Sequence, residues 1–259
     1  MQAVLAILSG ILVGFSLGLI GGGGSILATP LLLYVVGVRN PHVAIGTGAL
    51  AVAANAFANF VAHARAGTVR WRNAAIFAVV GVAGAAVGSS VGKAFNGQRL
   101  LFLFAILMIV VGVLMLRRRH DSAAATGAER ITWAGVARLA VAALLVGALS
   151  GFFGIGGGFL IVPGLIYATG MPMINAVGSS LLSVGAFGVT TAGNYALSGL
   201  VDWTLAGEFI GGGVVGGLLG MRLALRLSTR RNTLTRIFAG LIFLVAGYML
   251  YRNAAALGL

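Results

Sequence analysis

Residues 18–34, GLIGGGGSILATPLLLY, return at residues 151–167 as GFFGIGGGFLIVPGLIY. At an offset of 133 positions, Gly14, Gly18, Gly21, Gly23, Gly24, Pro30 and Tyr34 match Gly147, Gly151, Gly154, Gly156, Gly157, Pro163 and Tyr167. A glycine cluster followed by a proline, twice, inside apolar sequence, predicts an internal duplication. It also predicts that each copy carries a helix broken at membrane depth.

The surrounding composition fits a membrane. Only 8% of the 259 residues are charged and 59% are hydrophobic, too few charges to cover a soluble domain. Apolar segments run over roughly 3–36, 42–62, 74–92 and 99–116, then 134–168, 174–198, 204–227 and 234–251. This is the pattern of an all-α integral membrane protein. The first 20 residues have no basic n-region and belong to the repeat, so they are read as structure and not as a cleaved leader. The net charge of +13 sits in short loops, where membrane topology explains it, so no nucleic-acid partner is expected. Without cysteine, and with His42, His63 and His120 scattered, neither a disulfide nor a metal or other cofactor is expected.

Past the opening motif the repeat continues at an offset of 132, pairing Gly46 with Gly178, Gly67 with Gly199, Trp71 with Trp203 and Gly81 with Gly213. The expected organisation is therefore a first membrane repeat at 1–116, a polar cytoplasmic linker at 117–133 and a second membrane repeat at 134–259. The first segment of each half, about 34 residues, would make a helix of roughly 50 Å against a hydrocarbon core of about 30 Å. It either turns back as a re-entrant hairpin or crosses as one kinked span. Loop charges favour the first. If all eight segments cross, the two sides carry 9 and 8 basic residues; if the first segment of each half re-enters, they carry 13 and 4. The positive-inside rule prefers the uneven count. Three further crossings per half then invert the second repeat relative to the first. The basic loop HARAGTVRWR against its mate YALSGLVDWT agrees with opposite compartments.

Helix breaks at Gly21, Gly22, Gly23 and Gly24, and at Gly154, Gly156, Gly157 and Gly158, free backbone amides. They would start new helices at Ser25 and near Phe159. Such amides beside a helix N-terminus suit an anion, and inversion would bring the two breaks together near the midplane. The bland alternative is that the glycines permit close packing or a kink. The following segments add Thr47, Asn55 and Asn59 in one half and Ser179, Ser180, Thr191 and Asn194 in the other. These polar groups either line a route or join helices. The glycines from Gly81 to Gly92 and from Gly212 to Gly220 read as small-residue faces for helix packing. Glu208 is the one acid expected inside a span and a candidate for proton coupling, although its mate is Ile76. Gly14–Gly18 fits the G-x-S-x-G pattern of a serine nucleophile, but no strand precedes it and Ser16 is matched by Leu149, so no enzyme is expected.

The motifs GLIGGGGSILATPLLLY and AIGTGALAVAANAFANF, with their repeats GFFGIGGGFLIVPGLIY and AVGSSLLSVGAFGVTTAGNY, resemble the TauE/SafE family of sulfite exporters, also called the 4-toluene sulfonate uptake permease family. The resemblance covers both halves. It implies a multi-pass permease of the bacterial inner membrane that exports a small sulfur anion such as sulfite, thiosulfate or an organosulfonate. The inserted Ile155 departs from the run GGGG of the first half. The expected partners are that anion, the lipid bilayer and, in a homo-oligomer, further copies of the chain. The expected mechanism is alternating access by rocking of the two inverted halves; the alternatives are a membrane assembly factor that transports nothing, or an anion channel.

Overall fold

A computed structural model describes residues 1–117, 133–154, 158–226, 240 and 242–252. The expected linker at 117–133 lies almost wholly outside them, and so do Gly156 and Gly157. The described chain is helical: α1 Gln2–Ile20, a 3₁₀ helix Gly21–Leu27, α2 Ala28–Tyr34, α3 Pro41–Arg65, α4 Trp71–Ala94, α5 Gly97–Arg117, α6 Trp133–Phe153, α7 Gly158–Thr169, α8 Met173–Ala196 and α9 Trp203–Arg226. A last helix, α10, covers Ile242–Arg252. Among the described residues, six helices (α1, α3, α4, α6, α8 and α9) are long and apolar enough to cross a membrane. In hydrocarbon the backbone must satisfy its own hydrogen bonds, which is why apolar sequence of this length resolves into helices. Val79, Val87, Leu145 and Leu244 stay exposed on the outside of the bundle, where lipid replaces water.

Glycine contacts fix the direction of each helix. Along α1 and α9, Gly10 meets Phe209, Gly14 meets Gly213 and Gly18 meets Gly217, so the two helices run parallel. Asn55 and Asn59 of α3 lie against Gly213 and Gly217 in the same order, so α3 runs parallel to both. Because α1 and α3 point the same way, the chain between Ile20 and Pro41 travels back across the bundle. The 3₁₀ helix and α2 are that return arm. At 19 residues, α1 is about 28 Å long, close to the hydrocarbon thickness of about 30 Å. The first segment is thus a membrane-length helix followed by a broken arm that ends on the face where the helix began.

The second half repeats this arrangement. Gly147 meets Gly81 and Gly151 meets Ala85, so α6 runs parallel to α4. Phe187 lies against Gly81, and Asn194 bonds to Ser89 at 2.7 Å, so α8 is parallel to both. The arm that contains α7 returns between α6 and α8. Two triads result, α1/α3/α9 and α4/α6/α8, and each takes helices from both sequence repeats. The triads meet along α3 and α8, which are antiparallel: Gly46 lies by Tyr195, Ala53 by Gly188 and Phe57 by Gly185. Outside them, α5 and α10 touch through Gly112 and Phe243.

The turns are matched too. After α3 and after α8 the chain reverses at Gly67 and Gly199, both at φ +68°, a left-handed conformation that side chains resist. Asn40 caps α3 by accepting from the His42 amide at 2.9 Å, with Pro41 in the first turn where its missing N–H costs nothing. Helix directions place Arg39, Lys93, Arg99 and Arg252 on the face where α1 begins. Arg65, Arg70 and Arg72 lie on the opposite face. This is the division that the loop charges predict.

Candidate functional site

Both broken arms lie inside the bundle and touch each other. The 3₁₀ helix packs against α1, α7 and α8, and α7 packs against α6 and α8. Gly24 rests on the backbone of Ser16 and Leu17, and a Cβ there would overlap the Leu17 amide. The hairpin between α1 and its return arm is closed at this contact. Ser25, Ile26 and Leu27 are buried beneath it. On the other arm, α6 ends at Gly154, whose φ is +67° and whose amide donates to the Gly151 carbonyl at 3.1 Å. A side chain at Gly154 would overlap Ile45 of α3. Gly158, where α7 begins, is buried.

The break differs in one respect from its sequence reading. No α-helix starts at Ser25. The chain continues from Gly21 to Leu27 as a 3₁₀ helix and becomes α-helical at Ala28. A 3₁₀ helix bonds each amide to the carbonyl three residues back, so the glycine run engages several of its own amides. Fewer are free than four consecutive glycines suggest. The start of α2 has no side-chain cap. Pro30 stands in the first turn of α2, whereas Pro163 lies inside α7, where it removes one helical hydrogen bond and loosens the arm.

The polar residues on the neighbouring helices divide into three groups. Four are engaged. Thr47 accepts from the Asp202 amide at 2.9 Å, and Ser179 accepts from the Arg70 amide at 2.9 Å. Ser180 donates to the Val177 carbonyl at 2.8 Å. The Asn194 side chain donates to the hydroxyls of Ser89 and Ser90 at 2.7 and 3.0 Å. Asn59 is partly engaged, donating to the Asn55 carbonyl at 2.8 Å. The remaining two are not. Asn55 is fully buried and neither its Nδ2 nor its Oδ1 has a partner among the described residues, and the buried Thr191 hydroxyl has none either.

These residues do not form one cluster. Asn55 and Asn59 lie in the α1/α3/α9 triad, whereas Thr191 and Asn194 lie in the α4/α6/α8 triad. The repeat pairs Asn59 with Thr191 and Asn55 with Phe187. Phe187 fills its place by packing on Gly81 and stacking on Phe77, with ring centroids 6.3 Å apart. One triad therefore has an unpaired amide where the other has an aromatic ring. Leaving a buried polar group unpaired costs roughly 1–3 kcal/mol, a cost that a packing role does not require.

Four further buried hydroxyls without a described partner were missed in the sequence: Thr29, Ser150, Ser183 and Tyr195. Thr29 faces Gly48 of α3 from the return arm, 3.7 Å from where a Cβ would stand. Its signal was its place inside the repeated motif, one residue before Pro30. Ser150 and Ser183 gave none, because serine is unremarkable in a membrane helix. Glu208 is half-buried and lines a small cavity with Gln2, Asp202 and Thr204 at the start of α9. It lies away from the paired arms. Ser16 is buried under Gly24 within an unbroken helix, not on the strand-to-helix elbow that a nucleophilic serine uses.

The arms and their surroundings offer neutral donors, namely hydroxyls, an amide and backbone N–H groups, with no charged side chain among the candidates beside the break. Such donors can replace part of the hydration shell of a small anion without holding it too tightly to release. Residues 6–249 match the family described as Sulfite exporter TauE/SafE. A "Probable membrane transporter protein" of Xylella fastidiosa (strain 9a5c) is 59% identical over 254 residues, covering 98% of this chain and 97% of the relative. "Probable membrane transporter protein YunE" of Bacillus subtilis (strain 168) is 30% identical over 225 residues, 80% and 82% of the two chains. One from Methanocaldococcus jannaschii, "Probable membrane transporter protein MJ0441", is 27% identical over 195 residues, 71% and 68%. No solved structure matches the chain. With the family spanning nearly the whole sequence and a multi-pass helical bundle beneath it, this chain belongs to the TauE/SafE sulfite exporter family of membrane transporters.

Proposed function

We propose that the chain is a secondary transporter of a small sulfur oxyanion, of which sulfite is the type, and that it works by alternating access without bond chemistry. The observation that carries this reading is the contact between the two broken arms inside the bundle, the 3₁₀ helix against α7. Around that contact, Ser25 and the glycine backbones at 21–24, 154 and 158 form the binding region; Gly156 and Gly157, which the sequence adds to it, lie outside the described residues. Thr29, Asn55 and Thr191 supply neutral polar groups along the route. Thr47, Ser179, Ser180 and Asn194 hold the frame.

Helix directions support an inverted relation between the repeats. α1 and α3 run opposite to α6 and α8, while each repeat keeps its own internal order. They also change which bodies would move. The broadest contacts of α1 are with α9 and those of α4 are with α6, so residues 1–116 and 134–259 cannot rock apart as separate blocks. The moving units of this proposal are the mixed triads α1/α3/α9 and α4/α6/α8, sliding or rocking along α3 and α8. The family points to export as the direction.

Uptake of radiolabelled sulfite into proteoliposomes tests the reading. Wild type should transport above protein-free vesicles, and Ser25→Val should lower the rate at least tenfold while eluting as a folded protein. The double variant Gly23→Leu with Gly156→Leu should do the same. Equal flux in wild type and protein-free vesicles, with no competition by thiosulfate or a sulfonate in binding, would overturn it and favour a membrane assembly role.

A further inference from the structure

A second cavity, at the end of the first return arm and apart from the contact between the 3₁₀ helix and α7, carries chemistry of its own. It measures about 400 Å³ and opens where α2 ends, α3 and α5 begin and α10 finishes. Two guanidinium groups, Arg39 and Arg252, and the amide of Gln98 line it together with Leu33, Val38 and Leu101. Among the described residues no carboxylate lines it. Of the described acids, Asp202 and Glu208 both line the other, smaller cavity.

Arg252 is placed with care. Its guanidinium carbon lies 5.8 Å from the centre of the Tyr34 ring and 5.9 Å from that of Tyr248. Nη1 also donates to the Tyr248 hydroxyl at 3.3 Å. The two rings meet edge to face with centroids 5.1 Å apart. Aromatic faces orient a guanidinium without neutralising it, so the positive charge stays available to the cavity. Two such charges together with aliphatic lining describe a site for an amphiphilic anion.

We propose that this cavity binds an oxyanion group (sulfonate, sulfate ester or phosphate) carried on an apolar body, with Arg39 and Arg252 holding its oxygens. The site lies at the bundle's edge, so the same chemistry can come from a free organic anion or from the headgroup of an anionic lipid. Tyr34 closes α2, the end of the first broken arm, and Arg252 belongs to α10. An anion bound to both arginines therefore ties the return arm to the last helix, and occupancy would restrain the arm's movement.

The test uses the full chain purified in detergent and stripped of lipid. Butanesulfonate is the free probe, read by titration calorimetry, and phosphatidylglycerol is the lipid probe, read by native mass spectrometry. Each of Arg39→Gln and Arg252→Gln should weaken whichever probe binds by about tenfold, the usual effect of losing a charge-assisted hydrogen bond. Arg99→Gln, on the same face but outside the cavity, should not, and Arg39→Lys should lie between. Binding of butanesulfonate identifies a free-anion site; retention of phosphatidylglycerol alone identifies a lipid site. If neither probe binds, or the double Gln variant binds as wild type does, the proposal is wrong. Sulfite flux is measured separately, so the transport reading stands or falls on its own result.

Discussion

Thr47 and Ser179, 132 positions apart in sequence, make the same hydrogen bond in the two halves of the molecule. Thr47 accepts from the amide of Asp202 and Ser179 from that of Arg70, each at 2.9 Å, and Asp202 and Arg70 are themselves repeat mates. Each bond joins one repeat to the other just before α9 or α4. Both residues are fully buried and both hydroxyls are engaged by these bonds, which favours a role as joints, and the following variants test that against a ligand role. Thr47→Val and Ser179→Ala should each lower stability by about 1 kcal/mol, the net value of a typical hydrogen bond. Thermal unfolding in detergent measures this. The sulfite concentration that gives half-maximal flux should stay within about twofold of wild type, whereas a ligand role would move it by tenfold or more.

The parallel pairs α1/α9 and α4/α6 depend on backbone approaching backbone. A Cβ at Gly14 would overlap the Gly213 carbonyl, and one at Gly147 would overlap that of Gly81. No side chain can move aside to relieve either overlap. Gly14→Val and Gly147→Val should therefore part the helices and abolish the monodisperse peak in detergent chromatography. Gly207→Val, which has open space around its Cβ position, should keep the peak and supplies the control.

Asn55 distinguishes the two triads. Its amide has no partner among the described residues, and its repeat mate is Phe187. Replacing an unpaired buried polar group by an apolar one of similar size is neutral or stabilising if packing is its only role. Asn55→Leu should hold or raise the unfolding temperature and yet lower sulfite flux at least tenfold. Unchanged flux would remove Asn55 from the route.

The return of the first arm puts two matched loops on opposite faces of the bundle. With no native cysteine in the chain, single cysteines report cleanly. Ala66→Cys follows α3, and Leu197→Cys, 90% exposed, follows α8. These positions avoid the strained glycines beside them. An impermeant maleimide should label them from opposite sides of the membrane, with Ala66→Cys on the cytoplasmic side. Labelling of both from one side would contradict the helix directions.

Much of this was legible in the sequence, for identifiable reasons. The doubled glycine-proline motif marked the broken arms because few other patterns interrupt an apolar run twice at one spacing. Loop arginines favoured the return of the first segment because topology leaves its trace in charge. Other features left no such trace. The exchange of α4 and α9 between the triads depends on which glycine face meets which helix, and Gly81 and Gly213 look alike in sequence. The engagement of Thr47 and Ser179 was hidden because their partners, Asp202 and Arg70, stand far along the chain and bond through backbone amides that no residue type announces. The 3₁₀ continuation through Ser25 was concealed by the glycines themselves, which permit both a free loop and a tight helix.

Counterflow tests the central claim most directly. Proteoliposomes loaded with unlabelled sulfite are diluted into a trace of radiolabelled sulfite. A carrier whose two triads expose the paired arms to one side at a time should accumulate label transiently above its equilibrium level, and the overshoot should vanish in Ser25→Val. Label that only rises to equilibrium, or that enters no faster than in protein-free vesicles, would contradict the account.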